Sequence, residues 1–252
     1  MKEETMTGVE QQLQDGVLSL TLLRPDKKNA LNQRMYQQLA DALKQAAQDD
    51  QVKVVLLQGQ DNCFTAGNDL QDFMGGGELN QQHPTVRFLY QLAEFPKPIV
   101  AAVAGLAIGI GTTALLHCEL VYATADTRFQ LPFTKLGLCP EAASSLLLPQ
   151  LIGYHRACEY LLLAEPFDGL EAERMGLVNR LLPEAELLNF AWQKARQLAA
   201  MPTQAIQSSK RLLKASQREA LQYTLREELN EFQQLLQSDA CQQAVQQFFQ
   251  KK

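Results

Sequence analysis

The run Ile99-Val100-Ala101-Ala102-Val103-Ala104-Gly105-Leu106-Ala107-Ile108-Gly109-Ile110-Gly111-Thr112-Thr113-Ala114-Leu115-Leu116 decides how this chain folds. It holds 18 residues without a charge, close to the shortest helix that spans a bilayer. Gly105, Gly109 and Gly111 fall inside it, and Thr112 and Thr113 follow. A lipid-embedded helix gains nothing from three clustered glycines, whereas a strand that turns tightly into a buried helix needs small residues there. The run therefore reads as a strand over 99–104, a glycine turn, and a helix over 109–117.

Working outward, Phe95-Pro96-Lys97-Pro98 stops a helix expected over 85–94, and Leu120–Thr124 reads as the next strand. Nearer the N-terminus, Asp15-Gly16 is a two-residue turn between strands at 9–14 and 17–23. Leu31, Met35, Leu39, Leu43 and Ala46 recur at helical spacing behind Asn32, a residue suited to capping. Residues 52–58 read as a buried strand, followed by a loop and a flexible tip at Gly75-Gly76-Gly77. Strands alternating with helices predict an α/β core with right-handed crossovers. From Pro202 onward the chain is helical and rich in Gln, Glu, Leu and Lys. We divide it into a core over 1–195 and a C-terminal helical region over 196–252, serving either oligomerisation or as a cap on its own core.

The chain has 252 residues, 46% of them hydrophobic and 20% charged, with a net charge of -5. That charge argues against a nucleic-acid surface, so an anionic ligand must be met by local lysines or by backbone N–H groups. Five scattered cysteines form neither a disulfide framework nor a zinc cluster and predict a reducing, cytoplasmic setting. The first dozen residues lack the apolar stretch of a secretory signal, and the C-terminus is not a peroxisomal address of the SKL kind.

Two segments pair a buried strand with a small-residue turn: Phe64-Thr65-Ala66-Gly67-Asn68-Asp69-Leu70 and Gly105 through Gly111. Small residues let backbone approach a ligand, and two free N–H groups aimed at one point stabilise an oxyanion. Read singly, each glycine serves only a tight turn. The GxxxGxG spacing is not a dinucleotide fingerprint.

Together with Arg24-Pro25-Asp26-Lys27-Lys28-Asn29-Ala30-Leu31-Asn32 and Ala172-Glu173-Arg174-Met175-Gly176-Leu177-Val178-Asn179, these segments resemble, in order, the motifs of the enoyl-CoA hydratase/isomerase (crotonase) family. The resemblance covers roughly residues 9–250. It implies an α/β fold, a crotonase-like spiral of ββα units with a C-terminal helical region, assembled as a trimer or hexamer. It implies an acyl-CoA thioester as substrate, with no metal, no further cofactor, no nucleic acid and no membrane. The N–H groups of Ala66 and Ile110 would then hold the thioester oxygen. Lys28, Ala30, Thr65, Gly67, Asn68, Asp69, Leu70, Gly109 and Phe133 would bind substrate.

A typical hydratase of this family positions water with two glutamates, and the matching positions here hold Thr113 and Phe133. Neither replaces a carboxylate as acid or base. The segment Cys139-Pro140-Glu141-Ala142-Ala143-Ser144-Ser145 offers Glu141 among small and apolar residues, which raise a carboxyl pKa towards the working pH. On pattern alone Pro140-Glu141 is an ordinary helix start. The segment also resembles the catalytic stretch of peroxisomal-type Δ3,Δ2-enoyl-CoA isomerases, which makes Glu141 the single base; Ala142-Ala143 replace a Gly-Cys pair. Another crotonase reaction (hydration or thioester hydrolysis) and non-catalytic CoA binding are the alternatives. His83, His117 and His155 read as structural, Cys139 as a filler and Asp69 as a loop organiser. Phe73 or Phe88 are the candidates to line an acyl tunnel.

Overall fold

A computed structural model of the chain describes residues 8–60, 62–75 and 77–250, without the Phe73 side chain. The N-terminal hairpin forms as the Asp15-Gly16 turn predicts, with β1 (Gly8–Gln14) antiparallel to β2 (Val17–Leu23). Helix α1 (Gln33–Gln48) opens on Asn32, whose side chain accepts the Met35 N–H at 2.9 Å. Then come β3 (Val54–Gly59), α2 (Leu70–Met74), α3 (Pro84–Glu94) and β4 (Ile99–Val103). The glycine tip includes Gly76, which lies outside the described residues.

The decisive run is a strand and a turn, as its glycines require, but its second half differs from expectation. Leu106–Ile108 is a short strand, β5, and the helix is cut to α4 (Ile110–Thr113), continued by a 3-10 turn over Ala114–His117. The reason is pairing: β5 lies parallel to β7 (Arg128–Gln130), downstream of β6 (Leu120–Ala123), in a second small sheet.

The chain continues through α5 (Ser144–Ile152), α6 (Tyr154–Leu162), α7 (Gly169–Arg174) and β8 (Arg180–Leu181). Four helices end it: α8 (Glu184–Ala199), α9 (Thr203–Ala215), α10 (Arg218–Leu236) and α11 (Asp239–Gln250). The main sheet has the order β1-β2-β3-β4-β6-β8, parallel from β2 onward. Both faces of its centre are covered, which is why Val54–Leu57 of β3 and all of β4 are continuously apolar, whereas the edge strand β1 is polar and largely exposed. Leu18, Leu20, Leu22, Val55, Leu57, Ile99, Ala101 and Val103 face the large core under α1 and α3. Val17, Val54, Leu56, Val100 and Ala102 face Leu187, Ala191 and Ala195 of α8.

The C-terminal region packs on the chain's own core, since Phe232, Leu236, Cys241 and Val245 join the large cluster. Glu141 does not start a helix. It precedes α5 by three residues, separated from it by Ala142 and Ala143 in left-handed conformation. Among the described residues no helix is long and apolar enough to cross a membrane.

Candidate active site

The two small-residue segments are laced together. Thr65 pairs with Ala107 as a parallel bridge, its N–H donating to the Leu106 carbonyl at 2.8 Å and its carbonyl accepting the Ile108 N–H at 3.1 Å. Gly67 sits at φ +88°, and a Cβ there would lie 2.7 Å from the Ile108 carbonyl oxygen, so only glycine fits. This contact sets Asn68 beside the Gly109 turn.

Which N–H groups stay free follows from the pairing, and it corrects one expectation. The Ala66 N–H is not available to a ligand: it donates to the Lys28 carbonyl at 2.9 Å. Asn68 forms a parallel bridge with Leu31, in which Leu31 N–H donates to Gly67 and Asp69 N–H to Leu31. The N–H of the bridged residue itself points the other way. Neither Asn68 nor Ile110, the first residue of α4, donates its N–H to an acceptor among the described residues. Thr65 is likewise not a cleft residue. Its buried hydroxyl donates to the Asn29 carbonyl at 2.7 Å and accepts the Gly67 N–H at 3.0 Å, stapling the turn.

Glu141 is 6% exposed and accepts a hydrogen bond from the Thr113 hydroxyl at 2.5 Å. Thr113 thus occupies the place read as a lost glutamate and serves a carboxyl from another segment. Burial pushes the Glu141 carboxyl up to about 8; the Thr113 hydroxyl opposes this and the Glu228 carboxylate adds to it. Tyr36 of α1 faces the same space. Its phenol is raised well above its usual range by burial and then by Glu141, and it donates to the Asn68 side-chain carbonyl. Two hydrogen bonds, Thr113 to Glu141 and Tyr36 to Asn68, thus lie in this space, and the Tyr36 phenol and the Glu141 carboxyl act on each other electrostatically.

The sequence model of the enoyl-CoA hydratase/isomerase family matches residues 12–252. The chain belongs to that family. It is 34% identical to the human enoyl-CoA delta isomerase 2 over 95% of its length, spanning 62% of that relative. It is also 34% identical to the Escherichia coli 2,3-dehydroadipyl-CoA hydratase, over 95% of this chain and 94% of the other. Among solved structures, an enoyl-CoA hydratase/isomerase from Pseudoalteromonas atlantica superposes with a TM-score of 0.94 at 41% identity, covering 98% of each chain. The crotonase fold expected from the motifs is thereby established.

In this member of the family the cleft is about 830 Å³. Lys28, Ala30, Ala66, Gly67, Asn68, Asp69, Leu70, Gly109 and Phe133 line it; all but Ala66 are among the positions named above as substrate-binding candidates. Asp69 is also the loop organiser, pairing with Arg24 at 2.7 Å. Glu141 and Ile110 are buried and are not among the residues that line the open cleft, although Asn68 and Gly109 are. Phe88 is a core residue, its ring tilted against that of Tyr36, and the Phe73 side chain lies outside the described residues. Missed from sequence were Arg128 and Lys135, and Phe232, Ala244, Gln247, Phe248 and Phe249 from the last two helices. Arg128 and Lys135 add to Lys27 and Lys28, giving the mouth a local positive excess on an acidic protein. The adjacent aromatic pair at 248–249 was the one available signal for the C-terminal wall.

Proposed function

We propose that this chain is a Δ3,Δ2-enoyl-CoA isomerase in which Glu141 carries one proton between two carbons of the acyl chain. One observation carries the reading: the buried Glu141 carboxyl is held by Thr113 and raised to about 8, while the two positions that carry glutamates in the hydratase type hold Thr113 and Phe133. The basic mouth meets the CoA phosphates, and the thioester oxygen accepts from the Asn68 and Ile110 N–H groups. The Glu141 carboxylate removes a proton from C2; the electron pair shifts into a dienolate with its charge on that oxygen. The same carboxyl then delivers the proton to C4, leaving the double bond between C2 and C3. A base with a pKa near the working pH suits a proton that must be taken and returned. Phe133 fills the place of the second hydratase glutamate and keeps water from being held there.

A purified preparation given a 3-enoyl-CoA should show the ultraviolet rise of a conjugated 2-enoyl thioester. Glu141→Gln should lose about a hundredfold to ten-thousandfold of that rate. Undiminished activity in Glu141→Gln, or an inactive wild type that still binds CoA, overturns the reading. Hydration is the second reading, supported by the similarity to the E. coli hydratase; it predicts loss of conjugation from a 2-enoyl-CoA. We also propose self-assembly as a trimer or hexamer, supported by the exposed Leu162, Leu163, Leu212 and Leu213, with light scattering as the test.

A further inference from the structure

The segment that presents Glu141 is held in a conformation that its own residues disfavour. Ala142 and Ala143 stand at φ 57° and 56°, two consecutive left-handed residues with side chains, before α5 begins at Ser144. Single left-handed non-glycine residues are uncommon, and tertiary contacts must hold a pair of them.

Two buried side chains from separate elements supply those contacts. His117, at the end of the 3-10 turn after α4, donates from Nε2 to the Ala142 carbonyl at 2.8 Å. A carbonyl only accepts, so Nε2 carries the hydrogen. Burial lowers this imidazole to about 4, helped by Lys214 and Lys210 nearby, so it stays neutral through the working range. From the other side, Glu228 of α10 accepts the Ala143 N–H at 2.6 Å, the Ser145 N–H at 2.9 Å and the Ser145 hydroxyl at 2.5 Å. Three donors converging on one carboxyl favour its ionised form, while burial opposes them and leaves the Glu228 carboxyl above its ordinary value.

We propose that Glu228 and His117 are positioning residues for Glu141, clamping Ala142 and Ala143 so that the carboxyl meets Thr113. The proposal rests on Glu141 being the base. Glu228 acts twice, since its charge also faces Glu141 and opposes its ionisation. The other groups around Glu141 are Thr113 of α4, the Tyr36 phenol of α1 and the Cys139 thiol on its own segment; burial and neighbouring carboxylates raise the last two.

The test compares wild type with Glu141→Gln, Glu228→Gln, His117→Leu and His117→Gln, recording kcat, KM and the pH dependence of isomerisation. Gln at 228 keeps the shape, removes the charge and sets an amide against one N–H donor. Its plateau kcat should fall about tenfold to a hundredfold, and its acidic limb should move down by about one pH unit. His117→Leu should lose kcat by at least about tenfold with little change in KM, while His117→Gln, which keeps a donor where Nε2 stood, should recover to within about threefold of wild type. An inactive Glu141→Gln with an undiminished plateau kcat in Glu228→Gln overturns the clamp and leaves the base reading intact. An active Glu141→Gln removes both. If Glu228→Gln does not fold, the His117 pair decides: equal kcat in the Leu and Gln variants overturns the proposal.

Discussion

A buried base that must ionise is bought with stability, and the amount can be worked from Glu141. Its carboxyl stands at about 8 in the folded chain against 4.5 when unperturbed. Because the folded value is raised, the unfolded chain ionises first as pH rises. The favourable contribution is complete below pH 4.5 and is lost progressively up to about pH 8. The full displacement corresponds to a ceiling of roughly 5 kcal/mol, and relaxation around a charged group brings the expected cost to about 2–4 kcal/mol. Glu141→Gln removes the ionisation and leaves an amide carbonyl to accept from Thr113. It should melt close to wild type at pH 5 and above it at pH 9, by roughly 4–16 °C at about 2–4 °C per kcal/mol for a chain of this size. Thermal unfolding at pH 5, 7 and 9 followed by circular dichroism measures this directly. A difference independent of pH, or one that favours wild type as pH rises, would falsify the assignment of Glu141 as a buried, raised carboxyl.

Thr113→Val deletes the hydroxyl that favours the ionised carboxyl, so the acidic limb of the isomerisation profile should move to higher pH and kcat at pH 7 fall about threefold to tenfold; an unmoved limb contradicts the Thr113–Glu141 contact. Gly67→Ala forces a methyl to within 2.7 Å of the Ile108 carbonyl at φ +88°, and should lower the urea midpoint by an amount equivalent to about 2–4 kcal/mol, whereas an unchanged midpoint refutes the close approach. Reversing two cleft charges, Arg128→Glu with Lys135→Glu, should raise KM for an acyl-CoA at least about tenfold, with the effect shrinking as salt is added. A KM independent of those charges places the CoA phosphates elsewhere.

The elements that could be read from sequence are those whose signals are local. The Asp15-Gly16 turn, the Asn32 cap and the period of α1 each depend on residues within a few positions of one another. Sequence also separated the decisive run into strand and turn, because clustered glycine is a local property. What failed was non-local. Ala66 and Asn68 are two residues apart and equally small-residue in context, and only their partners distinguish them. Lys28 takes one N–H, and the bridge to Leu31 turns the other away from Leu31. No reading of residues 64–70 contains that fact. The shortened α4 has the same origin, since β5 exists only because β7 lies beside it. Pro140-Glu141 mimics a helix start for the same reason, as the left-handed Ala142-Ala143 turn is held by His117 and by Glu228, 87 residues downstream of Glu141.

The substitution of Thr113 for a carboxylate therefore does more than remove one function. A glutamate at that position would face Glu141 across a hydrogen bond, with Glu228 close by, and three carboxyls in one desolvated space cannot all ionise. A hydroxyl in the same place donates to the remaining carboxylate, offsets part of its burial and adds no charge. Phe133 completes the change by filling the place of a second water-holding group with a buried ring. On the function proposed above, such a site suits chemistry that needs a single proton carrier and no ordered water. Moving a double bond one position along an acyl thioester has that requirement, and this supports the isomerase proposal over hydration.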